Sequence, residues 1–161
     1  MGLWEKVIFL DRENIKNQKV EIARALREKI DGFVEIEHGN FCNFSQNLCG
    51  LCAISSFTLK KVLDRKGIKA KAFIGKFVDD VGKTDHCWVE DNRFIFDITA
   101  TQFGIPEKVY VIDKKSEKAS SYQGGKMIKN ANQFNGWPET QRPKDSICHM
   151  LIDSLLSKTG D

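Results

Sequence analysis

Between Val20 and Phe33 apolar residues return every three or four places, at Ile22, Ala23, Leu26, Ile30 and Phe33, which is the period of a helix that buries one face. The following stretch "HGNFCNFSQN" is rich in turn formers. At Cys52 the helical period resumes, with Cys52, Ser56, Leu59 and Leu63 on one face and Gly67 placed to end the run. Residues 68 to 78, "IKAKAFIGKFV", are suited to a strand, and Asp79 to Asp85 form a polar loop. "HCWVE" and "RFIFDIT" then flank Asp91-Asn92, a pair suited to a tight hairpin turn, and "KVYVID" at 108 to 113 adds a further strand. Residues 114 to 146 are polar, hold all but one of the prolines and show no period, so irregular structure is expected there. The tail "DSICHMLIDSLLSKTG" places Ile147, Leu151 and Leu155 on one helical stripe, with Asp145 or Ser146 as cap and Gly160 as stop.

Two helices followed by hairpin-connected strands predict an α+β fold, with N-terminal helices packed on a largely antiparallel sheet. A length of 161 residues suits one domain spanning 1–161, large enough to bury its own core. With 41% hydrophobic and 29% charged residues the composition excludes wholesale disorder. A net charge of +3, from 25 basic and 22 acidic residues interspersed, lacks the excess of a dedicated nucleic-acid binder, so no nucleic-acid partner is expected. "MGLWEKVIFLDREN" carries acidic residues around its apolar stretch and no small-residue cleavage site, unlike a signal peptide. No run approaches the about 18 apolar residues of a membrane span. A cytoplasmic, membrane-free protein is expected, and export by a specialised route would leave no such signal. Five cysteines, unevenly placed, do not make a disulfide framework.

The hairpin carries the chemistry. With Asp91 and Asn92 as the loop, Glu90 pairs with Arg93, Val89 with Phe94, Trp88 with Ile95, Cys87 with Phe96, and His86 with Asp97. Opposed residues on one face have Cβ atoms roughly 4.5–5.5 Å apart, close enough for a carboxylate to reach an imidazole. The carboxylate would fix the ring tautomer, free the other nitrogen as a base and stabilise the imidazolium. Cys52 is the thiol to deprotonate, because a helix N-terminus and a neighbouring imidazolium both lower a cysteine pKa. Taken singly, His86 with Asp97 could be only a cross-strand pair, and Cys52 only a small buried hydrophobe. Together with Gln46 they point to nucleophilic catalysis.

At these residues the chain resembles the papain-like and transglutaminase-like thiol enzymes. "QNLCGLC" is similar to the papain pattern of a glutamine followed three residues on by Cys-Gly-x-Cys. The resemblance implies that Cys52 is the nucleophile and Gln46 an oxyanion donor, that "DHCWVE" begins the base-carrying strand, and that "FDIT" is the Asp-bearing strand of the transglutaminase-like branch. Ala53 stands where papains carry an aromatic residue, no Asn-Ser-Trp follows the histidine strand, and the chain is too short for two papain lobes. The likeness, over residues 46 to 104, is closer to small bacterial transglutaminase-like peptidases, among them leader-peptide proteases of lasso-peptide pathways, and to deamidating effectors. It implies a Cys52–His86–Asp97 triad working without a cofactor on a peptide or protein substrate, through a thioester that water or an amine resolves. Peptidase or amidohydrolase activity comes first, and glutamine deamidation or transglutamination second.

Other chemistries have weaker footing. Cys49-Gly50-Leu51-Cys52 is similar to a thioredoxin-type redox pair, but it follows a polar loop instead of a buried strand and leaves His86 and Asp97 without a role. Cys42, Cys49, Cys52, His86 and Cys87 would suffice for zinc, yet adjacent strand residues His86 and Cys87 point to opposite faces, so no metal is expected. "YQGGKM" is too short for a phosphate loop, and His38, Cys148 and His149 have no partner in sequence. A non-catalytic interaction module would have no use for the four matched groups.

Overall fold

The second helix forms where its period begins: α2, Cys52–Arg65, buries Ile54, Leu59, Val62 and Leu63, and Gly67 with φ 70° lets the chain leave it in the left-handed region. The computed structural model describes residues 3–37, 51–130, 133 and 144–157. The first helix, α1, is Leu3–Glu37, much longer than the apolar period suggests. Its C-terminal half buries Ala23, Leu26, Ile30 and Phe33 as expected, with Val34 beside them, while Ile22 is only partly buried. Its earlier turns pack differently: Lys16 lies over the Phe94 ring at 5.1 Å, and Lys19, itself buried, lies over Phe96 and binds Asp91 at 2.6 Å. Long lysine stems cover aromatic faces there, which an apolar count does not register.

Five antiparallel strands follow: β1 (Lys71–Val78), β2 (Lys83–Glu90), β3 (Phe94–Asp97), β4 (Tyr110–Asp113) and β5 (Tyr122–Met127), ordered β4-β3-β2-β1-β5. The last helix is α3, Lys144–Leu156, so Asp145 and Ser146 fall inside it and Gly160 lies outside the described residues. The fold is therefore α+β with helices on a wholly antiparallel sheet. The three α-helices among the described residues meet one face, where Ala72, Cys87, Val89 and Phe96 join Leu26, Ile54, Ile147 and Leu151 in the main core. On the other face Trp88, Ile95 and Ile112 make a smaller core with Phe73, Tyr110 and Tyr122.

Two expectations need correction. Residues 114–146 are not irregular throughout, because Tyr122–Met127 forms the edge strand β5. Its Gly124-Gly125 pair looks like a turn, but it lies in the strand: Gly124 takes φ 66°, while the Trp88 indole lies against Gly125 and Gly75, and a Cβ on Gly75 would stand 2.6 Å from Trp88 Cη2 and would strike the Gln123 carbonyl. The hairpin register also differs. Val89 pairs with Phe96 and Glu90 with Ile95, two residues along from the expected pairing. Asp91 is the cause. Its Oδ1 accepts the backbone N–H groups of Arg93 at 2.7 Å and Phe94 at 2.6 Å, while its Oδ2 takes Lys19, so the turn centres on Asn92-Arg93. Arg93 then pairs with Asp113 at 2.9 Å instead of Glu90. A shift of two leaves every side chain on its expected face, because the strand period is two.

Candidate active site

Cys52, His86 and Asp97 arrive from three elements, the start of α2, the middle of β2 and the end of β3. All three are buried. His86 Nε2 lies 2.6 Å from Asp97 Oδ2. Continuing the observed register sets Trp88 directly across from Asp97 and His86 on the diagonal, a span that a histidine side chain still bridges. Aromatic rings enclose the imidazole. Phe103 meets it edge-on at 4.8 Å between centroids, and Phe77, stacked on Phe103 at 4.0 Å, meets it edge-on at 6.0 Å.

Asp97 has a full set of donors. Its Oδ1 accepts the Thr99 backbone N–H at 2.8 Å and the Thr99 hydroxyl at 3.2 Å, and its Oδ2 accepts the Tyr122 hydroxyl at 2.8 Å as well as His86. Burial alone would push this carboxyl up, but the His86 charge and these hydrogen bonds hold it below the usual carboxylate range. Burial likewise opposes the His86 imidazolium. The Asp97 charge and hydrogen bond, followed by the interaction with Cys52, overcome this and raise His86 to about 10. Tyr122 is pushed up by burial and by the Asp97 charge, so it stays a donor.

The Cys52 thiol is influenced by the Cys87 thiol and backbone and by His86. The Cys87 thiol is the largest influence, and with the His86 hydrogen bond and charge it outweighs burial and brings Cys52 down to about 5. Cys87 is pushed up in return, by its hydrogen bond to Cys52 and by burial, and remains a thiol. The helix start adds to this, because the first backbone N–H groups of α2 have no intrahelical acceptor and favour negative charge there. No side chain caps that end, where Leu51 is the N-cap residue. The arrangement can therefore form a thiolate–imidazolium pair, oriented by a carboxylate, beside free backbone donors.

Sequence reasoning placed Cys52, His86 and Asp97 but did not include Cys87, Thr99, Gln102 or Tyr122. The strand alternation sets Cys87 on the sheet face opposite His86, and there, in the core under the helices, it influences Cys52. Thr99 had a readable signal, since a Thr two residues after an Asp commonly donates back to it. Tyr122 and Gln102 had none, because only the tertiary fold brings β5 and the Ala100–Phe103 turn to the imidazole. Gln46, His38, Cys42 and Cys49 lie outside the described residues. Cys148 is buried on α3 with its thiol 4.0 Å from the Ile54 carbonyl, and His149 is exposed. Among the described residues no group of three or more His, Cys, Asp or Glu is arranged to hold a metal ion. The same residues include no helix long and apolar enough to cross a membrane. A groove of about 1670 Å³ between α1 and the β2–β3 turn includes Lys16, Lys71 and Arg93 and does not include the cysteine site.

No family model matches this chain, and neither a curated protein nor a solved structure matches it.

Proposed function

We propose that this chain is a cysteine-dependent hydrolase, a peptidase or amidohydrolase of the papain/transglutaminase-like type, acting on a peptide or protein. The reading is supported above all by one observation: a buried cysteine at a helix start and a buried histidine whose Nε2 is 2.6 Å from a buried carboxylate, with the histidine charge among the causes that lower the thiol. The sequence likeness over residues 46 to 104 is independent of that geometry and agrees with it.

In the proposed reaction the Cys52 thiolate attacks the carbonyl carbon of an amide. The oxygen of the tetrahedral intermediate takes the Cys52 backbone N–H and, by resemblance, the Gln46 side chain. Each such donor typically contributes roughly 100- to 1,000-fold in rate. His86 holds its Nε2 proton towards Asp97, so Nδ1 is the nitrogen that gives its proton to the departing amine. The C–N bond breaks and a thioester to Cys52 remains. Water then attacks the thioester, His86 Nδ1 takes a proton from it, and the carboxylic acid leaves with the thiolate restored. A backbone amide would make the enzyme a peptidase and a glutamine side chain a deamidase. An amine in place of water would make it a transglutaminase.

The test is incubation of the purified chain with a diverse peptide library, read by mass spectrometry for new termini and for the mass gain of deamidation. Wild-type protein should produce one of these products, and Cys52→Ala and His86→Ala should produce neither. Equal product from wild type and Cys52→Ala would end the proposal.

A further inference from the structure

The segment that follows Asp97 wraps around the imidazole and returns to its other side. Thr99 is anchored on Asp97 Oδ1, and three residues later Gln102 places its side-chain nitrogen 3.2 Å from His86 Nδ1. The orientation of that amide is set by a second contact, since the same nitrogen donates to the Thr99 carbonyl at 3.1 Å. A carbonyl can only accept, so the atom facing His86 is the NH2 nitrogen. In the neutral ring its second hydrogen then points at Nδ1, which presents a lone pair. At Nε2 the partner is a carboxylate, which requires a hydrogen.

We propose that Gln102 is a positioning residue for His86, whose amide selects the Nε2–H tautomer when the ring is neutral and so opposes the ring charge that Asp97 favours. The inference rests on the hydrolase reading. Asp97 alone favours the imidazolium. Gln102 opposes it, because a proton on Nδ1 would set two donors against each other. Gln102 is thus a counterweight to Asp97. The other groups facing this ring are Cys52 from α2, Trp88 from β2, Asp97 from β3, and Tyr122 from β5 with its hydroxyl on Asp97. Phe77 and Phe103 are apolar, so Gln102 is the one of these neighbours that favours the neutral ring.

The chain has three histidines, and ¹⁵N-histidine NMR reads tautomer and titration of each, with His86 assigned by its loss in His86→Gln. Above its pKa, wild-type His86 should be the Nε2–H tautomer. Gln102→Leu should raise its pKa by roughly half a unit to one unit, the preference of one hydrogen bond for one protonation state. Gln102→Glu, nearly isosteric and unable to donate once ionised, should raise it further. An Nδ1–H tautomer in wild type, or variants with no upward shift, would overturn the inference while leaving Cys52 reactivity in place. Alkylation of wild-type Cys52 over the same pH range separates the two readings: an ordinary-thiol profile would overturn the hydrolase assignment, and with it any positioning role in a reaction.

Discussion

Replacing Asp97 by asparagine tests the relay at the atom that orients it. Asp97 accepts four hydrogen bonds, two at Oδ1 from Thr99 and two at Oδ2 from His86 and Tyr122. An asparagine keeps one oxygen and gains an NH2 group. Turning that NH2 towards Thr99 would leave a buried backbone N–H facing a donor, at a cost of about 1–3 kcal/mol. The oxygen therefore stays on Thr99 and the NH2 faces His86, while the Tyr122 hydroxyl can rotate to accept. His86 Nε2 must then carry a lone pair and Nδ1 the proton, so the ring cannot accept a proton where Cys52 offers one. Turnover should fall roughly 10,000-fold, the loss expected of a triad with the wrong tautomer, or about 5.5 kcal/mol of transition-state stabilisation. Stability should fall by only about 1.5–3 kcal/mol, for one charge-assisted hydrogen bond lost. The assay compares kcat on one amide substrate with the denaturation midpoint of each protein. A folded Asp97→Asn protein with wild-type turnover would refute the relay.

Activity should rise with pH as Cys52 loses its proton near about 5 and fall as His86 loses its own near about 10, which a kcat/KM profile reads directly. His86 is raised in the fold from 6.5 to about 10, so its contribution to stability should be complete below about pH 6.5 and disappear as pH rises towards 10, as urea titrations at several pH values would show. Gly75→Ala should cost roughly 1–3 kcal/mol by thermal denaturation, because its Cβ meets Trp88 and the β5 backbone. Arg27→Met should lose about 1.5–3 kcal/mol and reduce turnover. The buried Arg27 guanidinium holds the Ile98 carbonyl at 2.6 Å and the Thr101 hydroxyl at 3.2 Å, and these residues border the segment that carries Gln102.

The parts of the site that could be read from the chain are those set by local period. The helical stripe from Cys52 gives the helix start, and the alternation in "HCWVE" and "RFIFDIT" puts His86 and Asp97 on one face whichever even register the hairpin takes. That invariance is why the pair was found although the register was two residues off. What decided the register was the Asp91 carboxylate acting as a local acceptor and held by Lys19 from a distant helix, information absent from the hairpin itself. Strand β5 is hidden in the sequence because its glycines read as a turn, whereas Gly125 accommodates Trp88 from another strand. The early turns of α1 escaped because lysine stems, not apolar residues, cover Phe94 and Phe96. Tyr122 and Gln102 reach the imidazole only through tertiary contact.

The central claim is that Cys52 is a thiolate held by His86, and its most direct test is site-resolved alkylation. Iodoacetamide at about pH 6, with peptide mass mapping, should modify Cys52 first in the native protein. A thiol brought down to about 5 is mostly ionised there, whereas a free cysteine at roughly 8.5 is ionised to less than about one per cent. His86→Ala should remove that preference, since the charge partner is gone, and Cys49→Ser should leave it intact. Cys52 alkylated no faster than an ordinary thiol, or equally fast in His86→Ala, would contradict the account.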